Sequence, residues 1–121
     1  MPLIVRVISV AGVKDEDDLG KNDLYVRLST DGSHWEQTTT KKGAGKQAVF
    51  DETFTFDVQP DPKSKLLVEV YDKDPLKDDK LGEGKYELSN ALSGQEVDAV
   101  VELHHHLHRH RGVVNLRISY R

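Results

Sequence analysis

The chain of 121 residues has no cysteine, and methionine and tryptophan each occur once. Without cysteine, the protein has no disulfide scaffold, thiol nucleophile or thiolate zinc site. Long apolar segments are also missing. The apolar start, residues 3–10, is interrupted by Arg6, is too short for a membrane span, and is not followed by a small-residue cleavage pattern. We therefore expect a cytoplasmic protein whose contact with membranes, if it has any, is peripheral.

Charge of one sign is not in large excess either. Lysine and arginine total 17, aspartate and glutamate total 21, and the net charge is −4 with histidine neutral. A nucleic-acid-binding domain usually carries a strong basic excess, so we expect no nucleic-acid partner. The length fits one domain that fills residues 1–121.

Catalytic signatures are also lacking. The sequence has no evident nucleophile–base pair, glycine-rich phosphate loop or catalytic metal motif, and we therefore expect no enzymatic activity. His34 stands alone beside Trp35, a position more typical of a hairpin surface than of a general base.

The sequence does have an alternation of apolar and polar residues with a period of two. Leu66, Val68 and Val70, for example, share one parity. This pattern is typical of antiparallel strands with one buried face, and it predicts an all-β, eight-stranded antiparallel β-sandwich. The predicted strands lie near residues 3–10, 23–30, 34–40, 50–58, 65–71, 81–88, 98–103 and 112–120. The Asp31-Gly32 pair predicts a hairpin between the second and third strands, and residues 88–92 are the one helical candidate.

Two acidic loops, residues 14–23 and 72–82, hold nine of the 21 acidic residues. Asp72 and Asp74 continue the parity of the strand before them, so both carboxylates are expected to point into the same space. Calcium takes six to eight hard oxygen ligands, which clustered aspartates supply. Solvated turn aspartates are the alternative interpretation, since aspartate is common in turns. Two such loops on one sandwich favour a metal site.

The motifs in and around these loops resemble those of the C2 domain, a calcium- and phospholipid-binding sandwich module. The first motif, Leu-x-Val-x-Val followed by Asp-x-x-Gly-x-x-Asp-Pro-Tyr-Val, is matched by residues 3–7 and 17–26, with Leu24 in place of the proline. Residues 50–56 match aromatic-x-Glu-x-Phe-x-Phe. Residues 70–74 and 79–82 match Val-x-Asp-x-Asp and Asp-x-hydrophobic-Gly. The extra strand at the end of the chain resembles the type II, circularly permuted topology of this Greek-key fold.

The resemblance implies a calcium site and a membrane-facing tip. Its calcium ligands fall on five aspartates: Asp17, Asp23, Asp72, Asp74 and Asp79. Asp18 and Asp78 are expected as substitutes or as ligands of a further ion. Leu19 and Leu76 are the expected membrane contacts, although Leu19 is equally compatible with packing on the core. The lysines Lys41, Lys42 and Lys46 are either a solvated loop or a contact for anionic lipid.

A histidine run, residues 103–111, precedes the last predicted strand. In an extended chain, imidazoles of one parity would share a face: His104, His106, His108 and His110. They predict either a secondary transition-metal site or a pH-sensitive basic region, and an exposed loop without such a role is the simpler alternative.

Taken together, the sequence predicts calcium-dependent binding to anionic phospholipid membranes, with calcium as the cofactor. The alternative is a calcium-independent C2-like adaptor that binds a protein partner.

Overall fold

The computed structural model of the chain describes residues 2–14, 21–59, 61–91, 94–105 and 110–121, without the side chains of residues 110 and 111. The described part is almost entirely β-structure. Its strands are β1 (Pro2–Ala11), β2 (Leu24–Ser29), β3 (Glu36–Gln37), β4 (Ala48–Asp57), β5 (Lys65–Asp72), β6 (Asp79–Glu87), β7 (Val97–His104) and β8 (His110–Tyr120). A short 3₁₀ turn, Leu88–Ala91, follows β6. No helix among the described residues has the length and apolar character that crossing a membrane requires.

The eight strands pair antiparallel in the order β3-β2-β5-β6-β7-β8-β1-β4. Among the described residues, β6 and β7 pair at one position, Glu83 opposite His104. This narrow connection divides the order into two four-stranded halves, which pack face to face as a sandwich. The extra C-terminal strand, β8, lies between β7 and β1. The predicted all-β sandwich is confirmed.

Alternate residues of the strands fill the space between the two halves. Leu66, Val68 and Val70 of β5 are completely buried and belong to one continuous hydrophobic cluster. Their neighbours Leu67 and Tyr71 are only partly buried. The period-two pattern therefore locates the core, because alternate side chains of a strand point to opposite faces.

The third strand is shorter than the sequence predicts. It comprises Glu36 and Gln37, which pair with Leu28 and Arg27 of β2. The next residue, Thr38, still donates a backbone hydrogen bond of 2.9 Å to the carbonyl of Val26, but its hydroxyl, and not its carbonyl, accepts the 3.0 Å bond from the N–H of Val26. Since a side-chain oxygen takes the place of the backbone acceptor, the regular ladder stops there. The predicted hairpin is present.

Candidate functional site

Three loops meet at one end of the sandwich: the first loop, described at residues 12–14 and 21–23, residues 38–47, and residues 73–78. Asp23 lies at their junction. Its backbone N–H donates a 2.8 Å hydrogen bond to Oδ1 of Asp72, and its own Oδ1 accepts a 2.7 Å bond from the N–H of Gly43. Its carbonyl oxygen accepts a 2.8 Å bond from the N–H of Lys73. The described parts of the two acidic loops therefore share one end of the fold.

Strand register brings the predicted aspartates of these loops together. Asp72 ends β5, where it lies opposite Leu24 of β2 on one side and opposite Asp79, the first residue of β6, on the other. Asp23 immediately precedes Leu24. Two ladders thus place three carboxyl-bearing residues of distant sequence position at neighbouring strand ends.

The electrostatics of Asp72 reflect this crowding. Burial raises the pKa of its carboxyl group, and the negative charges of Asp23, Asp79 and Asp74 raise it further. The hydrogen bond from the N–H of Asp23 acts in the opposite direction but does not outweigh them. Either a proton or a cation relieves such repulsion. Carboxylate oxygens are also the ligands that calcium prefers, so the chemistry of these side chains suits a calcium ion.

The loop between β5 and β6 has an internal hydrogen-bond network. Oδ1 of Asp78 accepts a 3.0 Å bond from the N–H of Asp74, and Oδ1 of Asp74 accepts a 3.0 Å bond from the N–H of Leu76. Oδ2 of Asp78 accepts a 2.6 Å bond from the hydroxyl of Tyr25 and lies 3.7 Å from Nζ of Lys73. The bonds from Tyr25 and from the Asp74 N–H hold the pKa of Asp78 below its usual range. The Leu76 side chain, at the tip, is 97% exposed.

Part of the predicted site lies outside the described residues: Asp17, Asp18 and Leu19. Within the described part of the chain, no three histidine, aspartate or glutamate side chains form a group that could hold a metal ion. The complete ligand set, including the additional roles of Asp18 and Asp78, therefore stays a prediction.

The predicted lysines belong to the loop between β3 and β4. Lys41 exchanges backbone hydrogen bonds of 3.0 and 2.8 Å with Leu24, and its ammonium lies 5.9 Å from the centroid of the Phe50 ring. Lys42 and Lys46 are exposed. The loop that carries them contacts Asp23 through Gly43, so these charges lie at the same end of the sandwich as the aspartates.

Asn22 is a buried residue of this end that the sequence analysis missed. Its side-chain amide donates hydrogen bonds of 2.8 Å to the carbonyl of Lys14 and 3.0 Å to the carbonyl of Gly45. It thereby ties the first loop to the loop between β3 and β4. A signal was present in the sequence, because Asn22 continues the buried parity of Leu24 and Val26.

A second missed cluster covers the outer face of β2 and β5. The guanidinium of Arg27 lies 4.1 Å from the ring centroid of Trp35 and 5.0 Å from that of Tyr71. Glu69 accepts hydrogen bonds from Nε of Arg27 (2.5 Å) and from the Tyr71 hydroxyl (3.1 Å), and forms a 3.0 Å ion pair with Nζ of Lys80. Burial opposes ionisation of Glu69, but the two cations outweigh it and its pKa is lowered. The charges of this face are therefore largely paired with one another.

The histidine run is only partly described. His104 ends β7, is exposed, and lies opposite Glu83 of β6 and His110 of β8. His106, His108 and the side chain of His110 lie outside the described part. The secondary metal site and the pH-sensitive region both stay predictions.

Several known proteins are similar to this chain. A curated protein of Arabidopsis thaliana described as a calcium-dependent lipid-binding protein is 27% identical over 125 residues. The match covers 98% of this chain and 24% of that protein, so the chain spans about a quarter of the relative's length. A C2 domain of plant extended synaptotagmin 1 has a TM-score of 0.85 at 22% identity, covering 98% of this chain and 92% of that one. A calcium-bound structure of two C2 domains of extended synaptotagmin 2 has a TM-score of 0.82 at 23% identity, covering 98% and 44%.

These structural likenesses lie below 25% identity and establish the fold. The family follows from the sequence. The family model described as the C2 domain matches residues 2–103, which is well over half of the chain. The resemblance drawn from the three motifs is thus confirmed, and the chain belongs to the C2 domain family.

Proposed function

We propose that this C2 domain binds anionic phospholipid membranes in a calcium-dependent manner through the end that carries Asp23, Asp72, Asp74 and Asp79. One observation carries the proposal: burial, together with the charges of the other three aspartates, raises the pKa of Asp72. The fold therefore holds close together several carboxylates that repel one another. A divalent cation converts that repulsion into attraction.

The mechanism is an electrostatic switch. Without a cation, the acidic loops are repelled by an anionic lipid surface. Calcium held by these aspartates would supply positive charge at this end and could bind phosphate oxygens of the lipid. Asp72 of β5 and Asp79 of β6 lie at adjacent strand ends, and Asp23 links the end of β5 to the loop between β3 and β4.

Apolar and basic groups at the same end complement the switch. Leu76 is 97% exposed at the tip of the loop between β5 and β6. Its partial burial among lipid headgroups adds up to ~2 kcal/mol of binding free energy. Lys42 and Lys46 are exposed on the loop that contacts Asp23, where each contributes about 1 kcal/mol of attraction to an anionic surface.

The name of the Arabidopsis relative, calcium-dependent lipid-binding protein, supports the same assignment. We further propose that the chain catalyses no reaction and that its location at a membrane is peripheral and reversible. The alternative function is that of an adaptor, which would bind a protein partner without calcium.

The test is co-sedimentation with vesicles that contain phosphatidylserine, in calcium and in chelator. The wild type is expected to pellet with the vesicles in calcium and to remain in the supernatant in chelator. The variant Asp72→Asn/Asp74→Asn is expected to lose the calcium-dependent fraction. Glu87→Gln is the matched control, because Glu87 is an exposed carboxylate at the opposite end of β6 and its loss should change nothing.

Equal pelleting of the wild type in calcium and in chelator, with no effect of the double substitution, would contradict the proposal. That result would favour the calcium-independent adaptor.

A further inference from the structure

We propose that Tyr25 is a positioning residue for the candidate calcium site, since its hydroxyl holds Asp78 and Asp78 in turn fixes the backbone at Asp74. The inference rests on the proposed function, in which Asp74 is a calcium ligand. It gives Asp78 the role of a brace within the loop, different from the additional-ligand role that the sequence predicts.

Tyr25 lies on a rigid part of the sheet. The residue lies in β2, which pairs with β5 over the length of the strand. Its ring is stacked on that of Tyr71, with centroids 5.3 Å apart and planes 7° from parallel. Tyr25 as a whole is only 5% exposed. The phenol is therefore held by packing, and its hydroxyl has a fixed direction.

Both carboxylate oxygens of Asp78 have donors within the protein. Oδ2 accepts the 2.6 Å bond from Tyr25 and lies 3.7 Å from the ammonium of Lys73. Oδ1 accepts the 3.0 Å bond from the N–H of Asp74. Both oxygens thus already bind donors of the protein, so the carboxylate of Asp78 has fewer lone pairs left for an ion than a free aspartate has.

Hydrogen bonds connect Asp78 to the tip of the loop between β5 and β6. The backbone of Asp74 is held by Asp78, and Oδ1 of Asp74 accepts the 3.0 Å bond from the N–H of Leu76. A chain of hydrogen bonds therefore runs from the sheet through Asp78 to the candidate ligand Asp74 and to the exposed Leu76. Loss of the Tyr25 hydroxyl removes the bond that anchors this chain to β2.

The two roles of Asp78 make opposite predictions for Tyr25→Phe. If Asp78 is a brace, Tyr25→Phe weakens calcium binding although it removes no oxygen from the ion. If Asp78 is a ligand, Tyr25→Phe frees its carboxylate and leaves calcium binding unchanged or stronger. Tyr71→Phe is the matched control, because it removes a neighbouring hydroxyl that bonds Glu69 and not the loop.

The experiment is a calorimetric calcium titration of the wild type, Tyr25→Phe, Asp78→Ala, the double variant and Tyr71→Phe. We expect the dissociation constant for calcium to rise by about tenfold in Tyr25→Phe and in Asp78→Ala. This is the lower end of the loss of affinity that follows when a residue that orients a metal ligand is substituted. The double variant should be no weaker than Asp78→Ala, because both substitutions remove the same contact. Tyr71→Phe should match the wild type. A wild-type affinity in Tyr25→Phe would overturn the inference.

Amide hydrogen exchange in chelator separates this inference from the proposed function. Tyr25→Phe should speed exchange of the Asp74 and Leu76 amides by at least about fivefold, on the scale of one lost hydrogen bond to a charged group. Tyr71→Phe should not. Unchanged exchange at these amides would overturn the inference whether or not the wild type binds calcium. Absence of calcium binding in the wild type would instead overturn the proposed function.

Discussion

The carboxylate of Asp72 is partly buried and accepts a hydrogen bond from the backbone of Asp23. Burial and three nearby aspartates raise its pKa above the ordinary value. For an acid, a pKa that is higher in the folded state means that ionisation destabilises the fold. The fold is more stable with the protonated carboxyl than with the ionised one. This contribution to stability is fully present below the ordinary pKa, about 3.9, and is lost as pH rises through the folded-state pKa.

Asp72→Asn should therefore stabilise the calcium-free protein at neutral pH. The amide keeps an oxygen that can accept the bond from Asp23 and removes the charge. We expect a gain of about 0.5–1 kcal/mol in the free energy of unfolding at pH 7, on the scale of like-charge contacts near a surface. The gain should shrink towards zero at about pH 3, below the ordinary pKa of about 3.9, where the wild-type carboxyl is protonated in both states. Urea unfolding in chelator at both pH values measures it.

Glu87→Gln controls for a general effect of removing negative charge. A loss of stability in Asp72→Asn at pH 7 in chelator would contradict the account of Asp72.

Single residues of the site differ in how well the sequence predicts them. Asp23 and Asp72 were predictable, because motif and parity place them at the ends of recognisable strands. The bond between Tyr25 and Asp78 was not, since it joins residues 53 positions apart and depends on how a loop folds back over a sheet. The pair Arg27 and Glu69 is intermediate: the residues lie opposite each other in β2 and β5, but sequence alone does not determine that register.

At the scale of elements, the connection between β6 and β7 depends on glycine. A Cβ on Gly84 would lie 2.7 Å from Cγ1 of Val101 and would also collide with the backbone carbonyl of Glu102. A Cβ on Gly82 would lie 2.9 Å from Cβ of Leu103. The two halves of the sandwich therefore approach closely only because β6 lacks side chains at these positions. Since Asp79 begins the same strand, this contact also helps to position the site.

Gly84→Ala should lower the free energy of unfolding by about 1–3 kcal/mol, because the added methyl group meets backbone atoms that cannot move aside. Lys85→Ala, at the neighbouring exposed position, should change it by less than about 0.5 kcal/mol. Urea denaturation curves of the two variants provide the comparison. Equal stability of Gly84→Ala and the wild type would show that the strands can separate at that point without loss.

Most elements were predictable to within two or three residues, because their burial alternates. β3 was the exception. Its predicted range of 34–40 shrinks to Glu36–Gln37, since the hydroxyl of Thr38 accepts the hydrogen bond of Val26. A side chain that substitutes for a backbone partner leaves no trace in an alternation pattern. The 3₁₀ turn Leu88–Ala91 agrees with the helical candidate, and both of its terminal side chains are buried.

For the whole molecule, the net charge of −4 is an average over unlike regions. Acidic residues collect at the loop end, whereas the last 18 residues contain four arginines, five histidines and no acid. The fold partly neutralises that basic segment: Nε of Arg117 in β8 lies 2.9 Å from Asp98 and 3.6 Å from Glu96. These ion pairs lower the charge contrast between the two regions, so the charge of the acidic loops is the part of the distribution on which a cation-dependent switch acts.

The central claim is that the loop end binds calcium, and a calorimetric titration of the wild type against Asp72→Asn tests it most directly. The wild type should bind calcium with measurable heat, and Asp72→Asn should weaken the affinity by at least about tenfold, because a carboxylate at the centre of the site loses its charge. Glu87→Gln should titrate like the wild type. Absence of calcium binding in the wild type, or an equal affinity in Asp72→Asn, would contradict the account.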